Sequence, residues 1–145
     1  MTHHYPDDDA LKRLGEGMLD RTLPKAEWTH AAHFACTLWL MRNRPDLDLP
    51  ARMPGFIRAY NESVGGENTD TAGYHETITQ ASLRAARSVL EAHAATMPVH
   101  EVLDVLMASR FGDKDWLLAF WTRERLFSVE ARRGWVEPDI ALLPW

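Results

Sequence analysis

From Trp28 to Met41 the chain runs without a single Asp, Glu, Lys or Arg, and hydrophobic side chains fall on most faces of any helix built from it. A helix that is apolar all round is buried all round. The stretch is too short to cross a bilayer and holds two histidines and two threonines, so other parts of the same chain must surround it. The pattern therefore predicts a central helix within Pro24 to Arg42. Pro24 suits a first turn, and Thr29 can cap a slightly later start.

The remaining periodicity supplies the surrounding elements. Asp7, Asp8 and Asp9 favour a helix start through the partial positive charge of its first amides, and Leu11, Leu14 and Met18 form its apolar face. A loop holding Pro50 and Pro54 follows the central helix, and a short helix around Phe56, Ile57 and Tyr60 closes at Gly65-Gly66. A long helix from about Tyr74 to His93 carries Leu83, Ala86 and Leu90 as a core stripe; one turn back, that stripe passes through Thr79 and His75. Pro98 opens another helix with Val99, Val102, Leu103 and Leu106 inward, leaving His100, Glu101 and Asp104 toward water. Ser128 and Gly134 bracket a final short helix. The fold class is all-α: a single-domain bundle of five to seven helices over residues 7–145. An extended C-terminal tail packs across it, and residues 1–6 form a flexible N-terminus.

Composition narrows the function classes. With 145 residues, 46% hydrophobic and 26% charged, the chain can bury a sizeable core and needs neither disulfide nor metal merely to fold. A metal here would be functional. A net charge of -5 with no basic run argues against nucleic acid. The lone Cys36 excludes an internal disulfide and reads as a small buried apolar residue. The polar N-terminus does not resemble a signal peptide, which points to the cytoplasm.

The chemistry centres on histidine. His30 and His33, three apart on one helical face, can converge on one cation, and His75 adds a third inward imidazole from a second helix. Three such ligands match an open site for one divalent ion such as Zn, Fe or Ni. Glu76 is then the candidate fourth ligand or general base, and Thr79 a hydrogen-bond donor to substrate. Trp28 is the candidate pocket wall and Tyr74 a gate or proton donor. Plainer readings stand beside these: buried imidazoles satisfied by carbonyls, a carboxylate favoured in a helix's first turn, and aromatics in the core. No Gly-x-Ser-x-Gly elbow, phosphate loop or dinucleotide fingerprint is present.

Trp28-Thr29-His30-Ala31-Ala32-His33-Phe34 and Gly73-Tyr74-His75-Glu76-Thr77-Ile78-Thr79 resemble the segments of a bacterial family with no established activity. Its members carry Thr-His-x-x-His-Leu and Tyr-His-Glu-Thr-x-Thr. The resemblance extends to Leu126-Phe127-Ser128, Ala131-Arg132 and Pro138-Asp139; Phe34 stands in place of leucine, and Trp121-Thr122 in place of Tyr-Ser. It implies that His30, His33, His75 and Glu76 belong to one shared pattern. The expectation is a small metal-dependent hydrolase, lyase or isomerase. The alternatives are a metal-free small-molecule-binding module and a structural or interaction protein with a histidine-containing core.

Overall fold

Asp7 accepts the Ala10 N–H at 3.0 Å and opens α1, Asp8–Asp20, whose Leu11, Leu14 and Met18 are buried. The computed structural model describes residues 3–145 and holds seven α-helices and no strand among them. Thr29 accepts the Ala32 N–H at 3.2 Å and starts α2, His30–Asn43. Ala32 and every residue from Phe34 to Leu40 are buried, as the stretch without Asp, Glu, Lys or Arg requires. Helices α1, α4 and α5 pack around α2. The exception within that span is His33, which is exposed.

Helix α3, Leu49–Ser63, is longer than its prolines predict. Pro50 occupies the first turn, where a missing N–H costs nothing. Pro54 lies inside the helix and has no N–H to offer the Pro50 carbonyl. Gln80 of α4 donates its side-chain amide to that carbonyl at 2.9 Å, so the helix continues through the proline. Farther along, Tyr60 is fully buried and donates to the Leu23 carbonyl at 2.8 Å.

A turn then sets the entry to α4, Glu76–Glu91. Asn68 accepts the Tyr74 N–H at 3.0 Å and donates to the Arg58 carbonyl at 3.1 Å. Gly73 has φ +81°, and a Cβ there would lie 2.1 Å from the Glu67 carbonyl oxygen. Only glycine fits both demands. Thr77, fully buried, donates to the Gly134 carbonyl at 2.9 Å and accepts the Val136 N–H at 3.2 Å. That hydroxyl ties α4 to the C-terminal segment.

Helix α5, Val99–Ala108, buries Val99, Val102, Leu103 and Leu106. Contacts along this helix correct the expectation that His100 and Asp104 face water. Asp8 accepts the backbone N–H groups of Val99 at 3.2 Å and His100 at 2.8 Å, and it pairs with the His100 ring at 2.7 Å. Burial works to raise the Asp8 carboxyl, but the bonds from His100 and Val99 outweigh it and hold the pKa below the usual value. Asp104 binds the His3 ring and accepts the His4 N–H at 3.0 Å, so the described part of the expected flexible terminus lies on α5. Residues 1 and 2 of that segment fall outside the described residues.

Short turns at Arg110–Gly112 and Trp116–Ala119 lead to α6, Arg123–Leu126, and α7, Val129–Arg133, which Ser128 caps. The tail is pinned at intervals. Val136 accepts from the Trp121 indole at 3.0 Å, and Asp139 accepts from Thr122 N–H at 2.8 Å and hydroxyl at 2.7 Å. The Ile140 N–H reaches the Phe120 carbonyl at 2.9 Å. Trp145 ends among Phe111, Trp116 and Phe120, with ring centroids 4.9, 6.0 and 5.5 Å away. Between pins, Leu142 stays 81% exposed. Among the described residues no helix is long and apolar enough to cross a membrane.

Gly73→Ala is expected to destabilise the protein by more than the roughly 1–3 kcal/mol of an unfavourable backbone conformation, because the close approach adds to it. Urea unfolding of the variant measures this; stability equal to the parent's would show that the turn relaxes freely.

Candidate functional site

A cleft opens where α2, α3 and α4 leave His33 uncovered, and it has two lobes. Trp28, His33, Ile57, Ile78 and Thr79 border both. The inner lobe, about 150 Å³, is walled by Phe34, Met53, Leu83, Trp116 and Leu117. Its polar groups come from His30, Thr37, Ser82 and Lys114. The outer lobe, about 480 Å³, reaches Lys25, Asn61, Glu67, Tyr74 and His75.

His33 stacks on the Trp28 indole with ring centroids 3.9 Å apart. Neither of its ring nitrogens has a hydrogen-bond partner among the described residues; its backbone carbonyl accepts the Thr37 hydroxyl at 2.8 Å. Protein surrounds the ring, while the cleft keeps much of its surface open to water. Desolvation, followed by the neighbouring charge of His30, pushes its pKa down to about 4. At neutral pH the imidazole is neutral, with one N–H donor and one lone pair on offer.

His30 lies one turn earlier and does a different job. Its Nε2 donates to the Phe111 carbonyl at 2.8 Å, which fastens the start of α2 to the turn Arg110–Gly112, just before Lys114 and Trp116 in the chain. His75 corrects the three-histidine metal centre. As the N-cap of α4 it accepts the Ile78 N–H on Nδ1 at 3.1 Å, while Nε2 donates to the Leu126 carbonyl at 2.6 Å. These partners require the neutral tautomer protonated at Nε2, and they occupy the one lone pair a metal would need. Burial and the charge of Arg132 lower its pKa, in keeping with that neutral form. Among the described residues no group of three His, Cys, Asp or Glu side chains is placed to hold a metal ion.

Glu76 borders neither lobe. Its carboxylate accepts the Tyr74 hydroxyl at 2.5 Å and faces the Gln80 amide at 3.4 Å. Glu76 therefore touches the cleft only through Tyr74, which borders the outer lobe. Tyr74 is buried beneath the Arg58 guanidinium, 4.4 Å above its ring. Burial and Glu76 push its phenol well above the usual value, which keeps it protonated. Thr79 and Trp28 face both lobes. Cys36 is fully buried with its pKa pushed up to about 12 by desolvation, so it is no nucleophile.

Sequence reasoning missed Ser82 and Lys114. Ser82 follows Thr79 by three residues and shares its helical face, a signal that was there to read. Lys114 sits in a loop, Gly112-Asp113-Lys114-Asp115, with no periodicity to mark it.

Two outcomes test these assignments. His75→Ala strips partners from the Ile78 N–H and the Leu126 carbonyl and is expected to cost about 2 kcal/mol in urea unfolding, with His75→Asn recovering part of it through the cap. An alanine variant as stable as the parent would remove the capping role. For His33 the folded pKa lies below the unfolded value of about 6.5, so the unfolded chain binds more protons between those limits. Its stabilising contribution is complete above about pH 6.5 and declines as the pH falls toward 4. A His33→Gln variant should lose stability less steeply over that window, and the His33 ring resonance should not titrate near 6.5; a normal titration would contradict the assignment.

No protein-family model, curated protein or solved structure matches this chain.

Proposed function

We propose that the protein binds a small molecule in the cleft over His33, without a metal. One observation carries this reading: His33 is the exposed residue within the otherwise buried Ala32–Leu40 span of the central helix, and neither ring nitrogen has a partner among the described residues. A polar ring held open at such a place leaves room for a ligand to bond it. The apolar and aromatic walls supply burial, and a few convergent polar groups supply orientation, which is the usual constitution of a ligand pocket. The metal-dependent hydrolase, lyase or isomerase has less support, because His75 and Glu76 are both committed to protein partners.

The test is thermal unfolding against a panel of single-ring compounds (phenol, benzyl alcohol, benzoate and benzylamine), each with and without EDTA. Ligand at a hundredfold excess over its Kd stabilises by about 2.7 kcal/mol, a Tm rise of several degrees for a domain of this size. At least one compound is expected to raise Tm equally with and without the chelator, and His33→Ala to abolish the rise. A shift that EDTA removes, or no shift with any member, overturns the proposal.

A further inference from the structure

We infer that the cleft selects anions built on one small ring, with the ring in the inner lobe and the negative group at Lys114. This rests on the ligand-binding reading above and adds the class of ligand. Size comes first. A dry apolar cavity of about 150 Å³ is known to hold one benzene ring. The inner lobe has the same volume, about 150 Å³, and its walls of Phe34, Met53, Leu83 and Leu117 are apolar.

Charge comes second. Lys114 is the lobe's sole Lys, Arg, Asp or Glu among the described residues, so no carboxylate lines it. Lys114 forms no ion pair among the described residues, although Asp113 and Asp115 flank it in sequence; neither borders the lobe. The Asp113 carboxylate instead accepts the Asp115 N–H at 2.9 Å. An ammonium at the edge of an apolar chamber attracts an anion and not a neutral molecule of equal shape. His33, neutral yet able to donate one N–H, accommodates either form and does not choose between them.

Paired titrations of the full chain with benzoate and benzyl alcohol at pH 7, followed by calorimetry, separate shape from charge. Benzoate is expected to bind at least tenfold more tightly. Both probes should shift the Trp28 and Trp116 indole N–H resonances, which places them in the lobe. Lys114→Met, a change at an exposed loop position, should weaken benzoate at least tenfold more than it weakens benzyl alcohol. Equal affinity for the two probes, or benzoate binding that Lys114→Met leaves intact, overturns the anion selectivity while leaving the pocket itself standing. Binding by neither probe nor any other member of the panel overturns the pocket as well.

Discussion

The burial of α2 is the constraint on which the other elements depend. A helix without a polar face cannot lie on a surface, so α1, α4 and α5 pack around it, and the turn at Phe111 bonds His30 at its first residue. Each full turn of such a helix presents side chains in every direction, and each direction needs an occupant. At His33 the enclosure is incomplete. The gap lies beside α3, the start of α4 and the turn between them, whose Ile57, Gly66, Gly73 and Ile78 border it. The same geometry that buries Phe34 and Thr37 on either side leaves the imidazole facing open space.

Helical phase made the inwardness of His75 legible, yet it gave no sign of what its nitrogens do. The stripe through Leu83 and Thr79 does lead back to it, and it is buried. A histidine at the boundary of a helix, however, has backbone amides within reach, and the Ile78 N–H claims the lone pair that a metal would use. Asp, Asn, Ser and Thr are the familiar caps; imidazole is rare in that position. From sequence alone, an inward histidine at a helix start therefore reads equally as ligand or as cap. The decision depends on whether an acceptor such as the Leu126 carbonyl faces the other nitrogen, a contact 51 residues away along the chain.

Other parts of the fold divide along the same line between local and distant causes. The caps at Asp7, Thr29 and Ser128 and the apolar faces of α1 and α5 are written in neighbouring residues, and the structure follows them. The continuity of α3 through Pro54 is not, because the Gln80 amide that satisfies the Pro50 carbonyl comes from another helix. Nor is the fastening of the N-terminal segment by Asp104, nor the presence of Lys114 at the cleft. Local chemistry proposes an element, and a long-range partner decides whether a local defect is tolerated.

His30 and His33 show how far such division of labour can go within a single turn. On one face and three residues apart, they read as a pair that would act on one object. The turn Arg110–Gly112 separates their roles. It approaches closely enough to offer the Phe111 carbonyl to His30, an approach that requires Gly112, where a Cβ would lie 1.9 Å from the Met107 carbonyl oxygen. With its Nε2 proton committed, His30 becomes the anchor of the wall that carries Lys114 and Trp116. Trp116 is backed in turn by Phe111 and Trp145, at 4.9 and 6.0 Å between ring centroids. His33, beyond the reach of that turn, keeps both nitrogens for the cleft. The anchoring of the one is what gives the space before the other a fixed shape, so the two histidines act in series: the first holds the wall and the second faces what the wall encloses.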